Sequence, residues 1–132
     1  MDRLFLDANV LFSAAYREGA GVARLWGLSE VVLLSSEYAA EEARRNLSDT
    51  HQQERLETLL ASVELSPAMT LDAILREDIV LPEKDWPILG GAVNSRSTHL
   101  ITGDLRDFGA YFGKEVFGIL IVPPAEYFRS RS

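Results

Sequence analysis

Two short apolar runs in this chain end in an aspartate: Leu4-Phe5-Leu6-Asp7 and Leu100-Ile101-Thr102-Gly103-Asp104. A third acid, Asp85, stands just ahead of Ile88 and Leu89 and shares the apolar face of a helix that begins there. Glu41-Glu42 offers a fourth. Ala39, Ala40, Ala43 and Leu47 form the apolar side of that segment, so at roughly 100° per residue Glu42 borders it and Glu41 lies nearer solvent. Asp107 either joins these acids from the loop after Asp104 or caps a helix over residues 108–112. Each acid also has an ordinary role open to it. Aspartates open turns, Asp85 with Pro87 behind it suits a helix start, and Glu41-Glu42 beside Arg44 and Arg45 suits a solvated surface.

Carboxylates packed together on an apolar rim repel one another, and some stay protonated. A hard divalent cation removes the conflict; magnesium or manganese is held by a few carboxylates and completes its shell with water. An ion held in this way polarises a phosphate, activates a water and stabilises a leaving oxygen, which is the equipment for phosphodiester hydrolysis. Asn9, near Asp7, and Thr102, near Asp104, are read as hydrogen-bonding supports for the acids they accompany.

Composition narrows the alternatives. The chain has 132 residues, is 47% hydrophobic and 25% charged, and reads as one domain over 1–132 with a frayed basic tail at 129–132. It has no cysteine and two distant histidines, His51 and His99, which excludes disulfides, thiolate metal sites and a zinc spacing. No stretch approaches a membrane span, and the N-terminus lacks the pattern of a secretory leader, so a cytoplasmic protein is expected. A net charge of −7 opposes broad electrostatic attraction to nucleic acid. Setting the five candidate acids aside brings that figure to −2.

The elements that must position these acids alternate between strand and helix patterns. Strands are expected at 3–6, 31–34, 99–102 and 117–122, with a short one at 63–65. Helices are expected at 10–17, 22–28, 37–47 (capped by Ser35-Ser36), 51–62 and 85–94, with a short helix around Leu71, Ile74 and Leu75 and an extended piece at 79–81. Continuously apolar strands alternating with helices predict a three-layer α/β/α sandwich around a parallel sheet. Ligands of such sheets bind at the carboxyl ends of the strands, where the strand order reverses. Helical residues Leu11, Phe12, Leu25 and Trp26 supply more apolar surface than one sheet face covers, which predicts burial in a homodimer or beneath a protein partner.

In this order the residues resemble the PIN-domain family, which includes the VapC-like toxins of bacterial and archaeal toxin–antitoxin pairs. The matching pieces are Leu6-Asp7-Ala8-Asn9-Val10-Leu11; Ser36-Glu37 with Glu42 and Leu47; Asp85 and Ile88-Leu89 through Ala92; and Ile101-Thr102-Gly103-Asp104 with Asp107-Phe108-Gly109. The resemblance implies a PIN-like α/β/α fold and cleavage of RNA with magnesium or manganese. Asp7, Glu42, Asp85 and Asp104 would be catalytic and metal-binding, with Asp107 as an additional metal ligand. It also implies dimerisation and a small antitoxin as partner. RNA phosphates would need local cations, for which Arg106 and Lys84 stand first, ahead of Arg17 and Arg44. Gly90-Gly91 departs from the family pattern inside a helix, where alanine-like residues are usual. Two competing readings are a PIN module that binds RNA or protein without cleaving, and a metal-dependent phosphatase or receiver-like domain. The phosphatase would need an aspartate at Asn9, and the receiver would need paired acids near the start.

Overall fold

The computed structural model describes residues 1–67 and 78–131. Its centre is a six-stranded sheet in the order β3-β2-β1-β4-β6-β5, built from β1 (Asp2–Leu6), β2 (Val31–Ser36), β3 (Glu64–Ser66), β4 (His99–Ile101), β5 (Lys114–Val116) and β6 (Ile119–Val122). All pairings are parallel except the β5–β6 hairpin at one edge. The lateral order reverses at β1: β2 and β3 extend to one side, and β4, β6 and β5 to the other. The crevice that such a reversal opens therefore lies between the carboxyl ends of β1 and β4. Those are the two strands that run into Asp7 and Asp104.

The helices are α1 (Ala8–Tyr16), α2 (Glu37–Asn46), α3 (Thr50–Leu60), α4 (Trp86–Asn94), α5 (Leu105–Phe108) and α6 (Pro124–Ser130). Leu4, Phe5, Leu6, Leu100, Ile101 and Ile121 are at most 1% exposed, as strands covered on both faces require. Helix α4 lies so close over β1 that a Cβ on Gly91 would stand 2.8 Å from Cζ of Phe5. Gly91, part of the departure from the family pattern, is what lets this helix approach the sheet. On the other face α6 packs Tyr127 edge-on to His99, and the Tyr127 hydroxyl donates to Asp2 at 2.7 Å.

Several expectations change. Residues 22–28 form not an α-helix but a 3₁₀ helix over Gly21–Gly27. The strand expected at 117–122 is shortened to 119–122, because Phe117 and Gly118 both take positive φ and make the two-residue turn between β5 and β6. Residues 79–81 are irregular. Asp104, not Asp107, caps the short helix that follows it, so that helix starts at Leu105 instead of 108. The tail is not frayed from 129: α6 continues to Ser130, and Arg131 donates to the Tyr127 hydroxyl and the Ser29 carbonyl. Leu11 and Leu25 are fully buried inside the subunit, and the Trp26 indole donates to the Leu59 carbonyl. The surplus of apolar surface expected on that side is therefore smaller than the sequence suggested. The short helix expected around Leu71, Ile74 and Leu75 lies outside the described residues.

Candidate metal centre

Asp7 leaves β1 and caps α1. Its Oδ1 accepts from the Ala8 amide at 2.6 Å, and its Oδ2 accepts from the Thr102 hydroxyl at 2.8 Å and from Asn9 Nδ2 at 3.0 Å. The ladder between β1 and β4 extends as far as the site, since the Asp7 amide donates to the Ile101 carbonyl. Asn9 turns its other end to the neighbouring strand, where Oδ1 accepts from the Gly103 amide at 2.8 Å. Thr102 Oγ1 accepts from the Asp104 amide at 3.1 Å. Asn9 and Thr102 thus lace the ends of β1 and β4 together, and Asp7 and Asp104 inherit that spacing.

Asp85 arrives from a different direction. A 3₁₀ turn over Glu83–Asp85 leads into α4, and the Asp85 carboxyl makes no capping bond. Pro87 occupies the first turn and has no amide to be capped. The side chain is free of the helix and turns into the cleft, where it is nearly inaccessible. The Tyr38 hydroxyl of α2 donates to the Lys84 carbonyl at 2.7 Å and fixes this turn against α2.

The acids share one cleft of about 430 Å³, lined by Asp7, Glu42, Asp85 and Asp104 together with Phe12 and Asn46. One carboxylate oxygen from each of Asp85, Asp104 and Asp107 lies within 4.8 Å of the other two. Among the described residues this is the tight donor group. Asp7 and Glu42 line the same cleft outside it, so Asp107 takes a more central place than sequence gave it. Glu42 faces the cleft, whereas Glu41 lies on the outside and pairs with Arg44 at 3.6 Å. Asn46, one helical turn beyond Glu42, was missed by sequence reading although its spacing of four put it on the same face.

Electrostatics mark the crowding. Burial pushes the Asp7 carboxyl up to about 6 against the pull of the Thr102 hydroxyl and the Ala8 amide, and the charges of Glu42 and Asp104 add to the rise. Asp85 is pushed up to about 7, mainly by burial and then by its hydrogen bond to Asp107. Asp107 moves the other way, to about 2, because the Lys84 ammonium holds its charge. Lys84 Nζ donates to Asp107 Oδ2 at 2.9 Å and to Asp85 Oδ2 at 3.4 Å, and these partners hold its own pKa up.

The other expected cations fall elsewhere. Arg44 is engaged by Glu57 through two bonds of 2.9 and 3.0 Å. Arg17 lies beside separate grooves near α3 and the 3₁₀ helix, away from the acids. Arg106 is exposed on α5 and does not line the cleft. The donor set is made of carboxylate oxygens, two of them on buried residues, with no sulfur or imidazole among the lining residues. Such a set fits a hard divalent ion.

The architecture is a PIN-like α/β/α fold, and its acidic cluster can hold a metal ion. No protein-family model and no curated protein matches the chain. Among solved structures it is similar to a chain of VapBC2 from Rickettsia felis, determined bound to a DNA fragment from their promoter. The TM-score is 0.66 at 13% identity, over 92% of this chain and 98% of that chain. At that identity the likeness is one of fold.

Proposed function

We propose that this protein is a magnesium- or manganese-dependent endoribonuclease, the toxin of a toxin–antitoxin pair, acting through the cleft of Asp7, Glu42, Asp85 and Asp104. The observation that carries the reading is the convergence of acids from four separate segments at the β1–β4 crossover, with Asp85, Asp104 and Asp107 near enough to share one ion. Asp85, Asp104 and Asp107 would hold the ion, with Asp7 and Glu42 available to it or to its waters. A divalent ion bound there supplies Lewis acidity and an activated water.

The chain's own groups do the rest. Asp7 is kept in place by Ala8, Thr102 and Asn9, so its carboxylate needs no reordering to receive a ligand. At neutral pH Asp85 and Asp7 sit close to their own ionisation and can give up a proton when a positive charge arrives. Lys84, displaced from the acids, can turn to a substrate phosphate; Arg106, exposed on α5 two residues after Asp104, is proposed as a second RNA contact outside the cleft.

The antitoxin and homodimer partners are proposed on the likeness in fold to a chain of VapBC2. A single-domain chain over 1–132 acting in the cytoplasm belongs to the same reading. Among the described residues no helix is long and apolar enough to cross a membrane. One observation favours a second reading, a module that binds RNA or protein without cleaving: Lys84 already neutralises two of the acids. Incubation of total RNA with the purified protein, with manganese or with chelator, separates the two. The nuclease degrades RNA only with the metal, and the binding module leaves it intact in both.

A further inference from the structure

Phe12 lines two depressions at once: the acidic cleft, and a groove of about 260 Å³ that continues along α1 to Tyr16 and Arg17. We propose that this groove is the track for single-stranded RNA next to the scissile phosphate. One base stacks on the Phe12–Tyr16 pair, and Arg17 takes the adjoining phosphate. The inference rests on the nuclease reading and assigns the substrate a direction away from the acids.

The two rings are 5.4 Å apart between centroids and tilted by 38°, so they are not stacked flat on each other. Tyr16 is 54% exposed, and its hydroxyl makes no hydrogen bond among the described residues. The core does not need this ring, yet its backbone is held firmly. Helix α1 ends without a cap of its own, as Arg17 turns to extended backbone. Its last carbonyls are taken by α3 instead: Arg55 donates to Ala15 at 3.0 Å and to Tyr16 at 3.3 Å, and Gln52 donates to Tyr16 at 3.0 Å. An exposed aromatic on a fixed backbone is a preorganised stacking surface, and base–aromatic stacking tolerates any sequence.

Spacing and charge point to the same occupant. At a rise of about 1.5 Å per residue, Phe12 and Tyr16 lie about 7.5 and 13.5 Å along the axis from Asp7, the next positions of a strand leaving the acids. Arg17 is exposed and makes no ion pair among the described residues, in a chain whose net charge is −7. A protein partner fits less well. With Leu11 and Leu25 buried in the core, this face offers few large apolar side chains, whereas a stable protein interface takes roughly 800 Å² from each side.

The test is steady-state cleavage of a labelled single-stranded oligoribonucleotide with manganese by wild type, Tyr16→Ala, Tyr16→Phe and Arg17→Gln. The expected result is a KM at least about fivefold higher for Tyr16→Ala, with thermal stability unchanged and Tyr16→Phe close to wild type. Arg17→Gln should also raise KM, by a factor that shrinks as salt increases. If wild type cuts RNA and neither Tyr16→Ala nor Arg17→Gln moves KM, the track is wrong and the nuclease reading stands. If wild type cuts nothing, the nuclease reading fails and this inference falls with it. If Tyr16→Ala leaves KM alone but splits a dimer in sedimentation, the face belongs to a second copy and the inference is overturned.

Discussion

Lys84 Nζ stands 2.9 Å from Asp107 Oδ2 and 3.4 Å from Asp85 Oδ2, so an ammonium from the chain itself neutralises two of the three acids best placed to share an ion. Lysine and a divalent cation cannot both hold these oxygens at full strength. Lys84→Gln is therefore expected to tighten manganese binding several-fold in calorimetry, while weakening RNA cleavage through a higher KM. Looser manganese binding in this variant would show that Lys84 helps to build the site instead of competing for it.

Glu42 and Glu41 provide an internal control, being adjacent in sequence while Glu42 lines the cleft and Glu41 pairs with Arg44 outside it. Glu42→Gln is expected to lower kcat by 10-fold or more, on the order of a lost metal-site or ligand-orienting carboxylate. Glu41→Gln should change cleavage by less than about twofold, since its partner is a surface arginine in an exposed pair. Parallel cleavage rates at saturating manganese decide between them. A larger loss from Glu41→Gln would mean that α2 presents the other face to the substrate.

The raised carboxyls set the pH dependence of the metal-free protein. Asp7 at about 6 and Asp85 at about 7 keep their protons in the fold at pH values where the unfolded chain, near 3.8, has lost them. Stability should fall as pH rises from about 4 to about 7 and stay low above that. Asp107 has the opposite sign, but its contribution is lost only as pH falls towards about 2, outside this window. Asp85→Asn imitates the protonated acid and can still donate to Asp107, so it should stabilise the metal-free protein at pH 8 by about 1 kcal/mol or more and do nothing at pH 4. Asp7→Asn is the poorer probe, because its amide would meet the Asn9 amide and a Thr102 oxygen that already accepts two bonds. Urea unfolding with chelator at both pH values checks this. Manganese should then stabilise wild type by mass action and Asp85→Asn much less.

Gly91→Ala tests the packing that brings α4, and with it Asp85, onto the sheet. Alanine favours the helix by about 1 kcal/mol, but its Cβ would press on the fully buried ring of Phe5. Overpacking of this kind costs about 1–3 kcal/mol, so a lower Tm is expected. A higher Tm would mean the ring moves aside freely.

Much of this site was legible in the sequence because strand ends are local. Asp7 and Asp104 each follow an apolar run directly, and the helical period of Ala39, Ala40 and Ala43 alone puts Glu42 and Glu41 on different faces. The hairpin of β5 and β6 was not legible, since Phe117 looks like a strand residue until its positive φ is known. The ion pair of Lys84 was hidden for another reason: Asp107 lies 23 residues away, and only the return of the chain through β4 brings them together. In sequence Phe12 reads as partner-facing surface, because the apolar pattern of α1 does not distinguish a sheet face from a cleft wall.

The most direct measurement is the cleavage rate of a labelled single-stranded RNA as manganese is titrated from chelator to millimolar, with wild type and Asp104→Asn in parallel. The account predicts that wild type cuts with a saturable dependence on manganese and not at all in chelator. Asp104→Asn, folded to the same extent by circular dichroism, should lose activity by 100-fold or more, on the order seen when a group central to a metal site is removed. Cleavage that persists in chelator, or an Asp104→Asn variant as active as wild type, would contradict the assignment of these acids as a metal-dependent nuclease centre.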